Sequence, residues 1–153
     1  MADSKIYCLF DADTGDLFEE TPGVVYTQFD AKKVARFTEA KINALLKDPG
    51  IIRNRLKVEA VVHNAPLFLK VQKEFGTFDK YIWSFVGHKQ ICRRYSSHNR
   101  LPATSKESDL LSKDLKKRGF KFVGSTVLYA HMQAVGMVND HLVSCFRHKT
   151  CLK

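Results

Sequence analysis

No stretch of this sequence stays apolar for the ~20 residues that a bilayer crossing requires, so no membrane-spanning helix is expected. Its first residues carry Asp3, Asp11, Asp13 and Asp16 where a secretory signal would be basic, which points to an intracellular, cytoplasmic protein. Cysteine is scarce. Cys8, Cys92, Cys145 and Cys151 are too few and too scattered for a disulfide framework in a chain of 153 residues, which leaves reduced thiols or metal ligands. No long-period repeat or low-complexity segment occurs, so a solenoid is not implied. Tryptophan occurs once, as Trp83, and is expected in the core. What remains is 44% hydrophobic, enough material for one domain with a real interior.

The charge is uneven along the chain. Residues 1–30 carry a net charge of minus six, whereas residues 31–153 carry plus fifteen. A field of that sign concentrates polyanions, of which nucleic acid is the commonest, although a basic surface can also serve solubility alone.

Apolar spacing predicts helices almost throughout. After Asp30 as N-cap, Val34, Phe37, Ile42, Leu45 and Leu46 recur at helical intervals until the "DPG" at 48–50. A second series runs from Ile51 to Phe75, with a kink or division expected at Pro66. "FDKYIWSFV" reads as a short helix ended by Gly87, and residues 88–102 as a basic loop. Thr104 and Glu107 have the spacing of a capping box, ahead of a face formed by Leu110, Leu111 and Leu115. Gly119 ends that helix, and Gly124, Ser125 and Thr126 open the next, which runs to Gly136.

The corner between those two helices, "KKRGFKFVGST", is the most suggestive stretch. Glycines let a backbone bend and approach a ligand, and amides at a helix N-terminus favour an anion such as phosphate. Lys116, Lys117, Arg118 and Lys121 would add a salt-dependent attraction to DNA, and Phe120, Phe122 and Val123 are expected to anchor the corner. Helix pairs joined by a glycine turn also occur in proteins that bind nothing.

The segments "IIRNRLKVEAVVHNA", "YIWSFV" and "SDLLSKDLKKRGFKFVGSTVLYAHMQAVGMVNDHLVSC" resemble the DNA-3-methyladenine glycosylase I family of the helix-hairpin-helix superfamily, from about Phe29 to Cys145. The resemblance implies an all-α helix-hairpin-helix bundle over residues 29–153, following a divergent acidic segment at 1–28. It implies that the hairpin at 119–126 grips DNA, with Lys116, Lys117, Gly119 and Lys121 beside it and the amides of Phe122, Val123, Gly124, Ser125 and Thr126 around a phosphate. Relatives that also cut the strand carry a lysine nucleophile where this chain has Thr126, so a monofunctional enzyme acting on double-stranded alkylated DNA, as a monomer, is implied. Such an enzyme flips out a 3-methyladenine nucleotide, holds the cationic base between aromatic faces and lets water attack the sugar.

Family members also carry a structural zinc, held by an N-terminal Cys and His and a C-terminal His-x3-Cys. His141 and Cys145 match the second pair and Cys8 stands where the first cysteine would; no histidine precedes His63. A local set of His141, Cys145, His148 and Cys151 is the alternative. The family's "EWG" and "QAGLSW" stretches have no counterpart, which leaves the base-recognising carboxylate unassigned. Asp140 in "VNDH" is a candidate acid near the sugar and equally a helix cap, and the His88/Cys92 pair lacks an orienting third group. The resemblance supports excision of 3-methyladenine; the alternative is a hairpin protein that grips DNA without base selectivity.

Overall fold

Asp30, the first of the residues 30–151 described by the computed structural model, is the N-cap expected of it. Its carboxylate accepts from the amides of Lys32 and Lys33 at 2.8 and 3.4 Å and starts α1, Ala31–Val34. The helix expected to continue to Leu46 instead stops and restarts. Thr38 takes extended backbone angles, caps the Lys41 amide and opens α2, Glu39–Leu45. A capping hydroxyl satisfies an orphan amide, so Thr38 favours a new start over a continued turn. Cys8 and the acidic segment at 1–28 lie outside the described residues.

Helix α3 spans Arg55–Phe75, with Asn54 as its N-cap and Pro66 inside it. Of the kink or division expected at Pro66, the division into two helices does not occur. Ala65, Phe68 and Val71 are buried on either side of the proline, and their burial outweighs the roughly 3 kcal/mol that an interior proline costs. Gly76, at φ 84°, ends α3, and α4 follows at Phe78–Ser84 with Tyr81 and Ile82 buried; Trp83 is only half-buried.

The basic loop contains a feature that helical periodicity could not announce. Ile91–Cys92 forms strand β1, paired in parallel with β2, Val138–Asn139, with Ile91 opposite Val138 and Cys92 opposite Asn139. The ladder bonds are Ile91 N to Met137 O at 2.9 Å and Arg93 N to Asn139 O at 3.1 Å. This small sheet, with an isolated parallel bridge between Tyr95 and Leu142, interrupts an otherwise helical fold among the described residues.

Helix α5 spans Lys106–Lys117, α6 Ser125–Ala134 and α7 Phe146–Thr150. The reciprocal cap of α5 is made by Ser105 and Ser108, one residue later than Thr104 and Glu107: Ser105 N donates to Ser108 Oγ at 2.8 Å and Ser108 N to Ser105 Oγ at 3.2 Å. Its buried face is Ser108, Leu111, Ser112 and Leu115, and Leu110 is 49% exposed. Positions 108, 111, 112 and 115 form one helical stripe from which 110 is rotated away.

Contacts divide the chain into two compact units. The first joins residues 30–78 to Lys116–Phe122, and the second joins Asp79–Leu115 to residues 123–151. In the first, α1 and α2 both pack on α3, with Val34, Ile42, Ala60, Phe68 and Val71 buried. In the second, Tyr81, Leu111, Tyr129, Met132 and Met137 are almost wholly buried, and α6 packs against β2. No helix among the described residues is long and apolar enough to cross a membrane.

Candidate nucleic-acid interface

The chain passes from one unit to the other between Phe122 and Val123, in the middle of the suspected hairpin. On the first side of that point, α5 has ended and Gly119 takes φ 91°, a left-handed angle that its missing Cβ allows. The corner is then fastened to α3. His63 Nε2 donates to Gly119 O at 2.9 Å; Asn64 donates through Nδ2 to Lys121 O at 2.8 Å and accepts through Oδ1 from Lys121 N at 2.9 Å. One side-chain amide thus pairs with both main-chain groups of Lys121, as a neighbouring strand would. Phe120 is buried and meets Phe78, which stacks on Phe68 with ring centroids 4.4 Å apart.

Phe122 differs from expectation. The residue is 53% exposed, so Phe120 alone of the two anchors the corner. Its φ is 56°, a left-handed angle that costs a residue with a Cβ roughly 1–2 kcal/mol, whereas Gly124 sits at φ −64° and does not use a glycine's freedom. Lys116, Lys117 and Lys121 are exposed as anticipated. Arg118 is committed instead to Glu74, with bonds of 2.6 and 3.1 Å, and lies over the Phe75 ring.

On the other side of the crossing point, Gly124 is the N-cap of α6, and no side chain caps that end. The first amides of α6 therefore lack the acceptor that a Ser or Asp N-cap would supply. A Cβ built on Gly124 would meet nothing within 4 Å. Ser125 Oγ donates to Asp109 Oδ1 and lies 2.8 Å from Ser108 Oγ, while Ser112 Oγ donates to Val123 O at 2.6 Å. Thr126 is exposed.

Beneath this end the second unit holds a buried polar cluster centred on Arg93. Arg93 donates to Tyr129 Oη at 2.8 Å and to Glu107 Oε2 at 3.0 Å, and its Nη1 lies 3.9 Å from Asp140 Oδ1. Tyr129 Oη donates to Asp140 Oδ2, as does Gln133 Nε2 at 3.0 Å. Burial, then the hydrogen bond to Asp140, push the Tyr129 phenol well above its ordinary range and keep its proton in place. Burial would raise Glu107, but its own backbone amide, Ser105 and Arg93 together hold it below the usual carboxylate range. Burial likewise opposes the charge on Arg93, and the fields of Tyr129, Asp140 and Glu107 outweigh it. Arg93 is thereby engaged within the protein, whereas Lys89, Arg94 and Arg100 of the same basic loop are exposed. Periodicity missed the cluster, although Tyr129 and Gln133 at i, i+4 on α6 were a visible signal.

A profile of the methyladenine glycosylase family matches residues 20–148. The chain belongs to that family. It is 44% identical over 120 residues to DNA-3-methyladenine glycosylase 1 of Escherichia coli (strain K12), an alignment that covers 78% of this chain and 64% of the relative. The DNA-3-methyladenine glycosylase of Haemophilus influenzae is 45% identical over 120 residues, covering 78% and 65%. The chain thus spans somewhat under two thirds of the length of these curated relatives. The 3-methyladenine DNA glycosylase I of Staphylococcus aureus, solved to explain its recognition of 3-methyladenine, superimposes with a TM-score of 0.79 at 32% identity, over 84% of this chain and 69% of that one.

His141 and Cys145, expected as zinc ligands, are neighbours: His141 Nδ1 lies 3.9 Å from Cys145 Sγ. Two ligands at Zn–N ~2.0 Å and Zn–S ~2.3 Å in a tetrahedron stand roughly 3.5 Å apart, so the pair fits two corners of such a site. The local alternative set does not assemble. His148 turns into the interior, with Nε2 donating to Arg93 O at 3.3 Å and 3.9 Å from Cys92 Sγ, and the described residues contain no cluster of three metal-ligating side chains. Asp140, the candidate acid, keeps a side-chain exposure of only 4% and serves as acceptor for Tyr129 and Gln133.

Proposed function

We propose that this protein is a monofunctional DNA glycosylase that binds double-stranded DNA containing alkylated bases and excises 3-methyladenine. The observation that carries the reading is the corner itself: an uncapped start of α6 at Gly124, reached through a turn pinned to α3, in a chain of the methyladenine glycosylase family. Main-chain N–H groups at 123–126 are suited to donate to the oxygens of one phosphodiester, and exposed Lys116, Lys117 and Lys121 draw the polyanion near. On this reading the two helices and their corner would serve as a helix-hairpin-helix element.

The chemistry asks little of the protein at the breaking bond. Methylation at N3 makes the base cationic; when the C1′–N9 bond breaks, its electron pair goes to the base, which leaves neutral. Water adds at C1′ and gives up a proton. Strand scission in the related lyases uses a lysine at the position just after the hairpin, and this chain has Thr126 there. Incubation with methylated duplex DNA should release free 3-methyladenine and leave abasic strands intact until alkali is added. Duplex binding without released base would overturn the glycosylase reading and leave only DNA capture.

We also propose that His141 and Cys145 are two ligands of a structural zinc, with Cys8 as a further ligand. When bound, the metal would tie chain segments together and take no part in the reaction. Purified protein should contain about one zinc per chain, and His141→Ala should lose it together with thermal stability. Metal-free protein of unchanged stability would remove zinc from the account.

A further inference from the structure

We propose that the exposed Phe122 ring is a DNA-positioning contact, laid against the apolar sugar face of the strand that the hairpin grips. This rests on the DNA-binding reading above. Three observations converge on it. Phe122 is 53% exposed, while the anchoring of the corner is done by Phe120 through Phe78 and Phe68. The backbone of Phe122 is held at φ 56°, where a glycine would sit without strain, so keeping an aromatic side chain there opposes the local conformational preference. The conformation is also built rather than loose, because His63 and Asn64 fix the carbonyl of Gly119 and both main-chain groups of Lys121 immediately before it.

An exposed aromatic at a strained, firmly held position contributes little to the fold and is set up to meet something outside it. What it meets follows from its neighbours. Lys121 precedes it, and Gly124, which opens α6, is two residues on, so its Cα lies within about 7.6 Å of Phe122 by chain geometry. A strand whose phosphate reached the α6 amides would present its deoxyribose within reach of the ring. Deoxyribose offers C–H faces, and an apolar contact there is indifferent to base identity. It would fix where along the strand the hairpin stops.

Phe122→Gly and Phe122→Ala separate the ring from the strain: both delete the ring, and only glycine relieves the backbone. Binding to a duplex carrying a stable abasic-site analogue is measured across a salt series, alongside thermal unfolding. Both variants should bind about tenfold more weakly at fixed salt. The slope of log Kd against log salt should be unchanged, because no ion contact has been lost, whereas Lys121→Ala should reduce that slope by about one. Phe122→Gly should unfold no lower than the parent. Unchanged affinity in both variants, or a clear fall in the melting temperature of Phe122→Gly, would overturn the positioning role while leaving the DNA-binding reading standing. Failure of the unmodified protein to bind the duplex would overturn the DNA-binding reading itself, and this inference with it.

Discussion

Arg93→Met is expected to lower the free energy of unfolding by about 3–5 kcal/mol. The reason is what stays behind. Arg93 bonds Tyr129 and Glu107 and stands 3.9 Å from Asp140 Oδ1, which has no hydrogen-bond partner among the described residues. Without the guanidinium, Asp140 becomes a buried anion held only by Tyr129 and Gln133, and Glu107 loses a partner that helps keep it ionised. The Arg93–Glu107 pair is about a quarter exposed, so its share is modest, and most of the loss belongs to Asp140. Adding Asp140→Asn should restore part of it, since the remaining group is then neutral. Chemical denaturation of the two variants measures both numbers; a loss under about 1 kcal/mol for Arg93→Met would mean that solvent replaces the guanidinium.

The second large effect has opposite signs in two assays. Gly124→Asp should leave the fold as stable as before or more stable by a few tenths of a kcal/mol, and should weaken duplex binding by about 100-fold. Aspartate is a favoured N-cap, the added Cβ meets nothing within 4 Å, and the backbone at φ −64°, ψ 152° already has the extended geometry of a cap. The gain stays small because Asp109 already brings a carboxylate to Ser125. The same new carboxylate would occupy the amides offered to a phosphate and repel it. Gly124→Asn supplies the cap without the charge, so the difference between the two variants in salt-dependent binding isolates the repulsion. If Gly124→Asp binds DNA as the parent does, the α6 amides are not the phosphate site.

Much of this architecture could be read from residue order because it rests on local rules. Asp30 caps as an Asp before an apolar series should, Gly119 and Gly136 take positive φ at helix ends, and the glycine-rich corner lies between two helices as expected. The errors arose where two local rules competed. Thr38 could continue a turn or cap a new one, and Ser105 with Ser108 displaced the equally spaced Thr104 and Glu107, because Glu107 is drawn to Arg93. What could not be read depends on distant parts of the chain. The pairing of β1 with β2 joins residues 47 positions apart and thereby brings Arg93 to Asp140. The pairing of Asn64 with Lys121, 57 positions on, likewise required the fold. The left-handed angle at Phe122 was hidden for the same reason, since glycines flank it and were the natural candidates for the turn.

Titration of the unmodified protein with duplex DNA across a range of ionic strengths tests the whole account most directly. Tight binding at low salt that weakens linearly in log Kd against log salt, with several ions released, is the result expected of a hairpin seated on phosphates and surrounded by lysines. Absence of duplex binding at every ionic strength would contradict it.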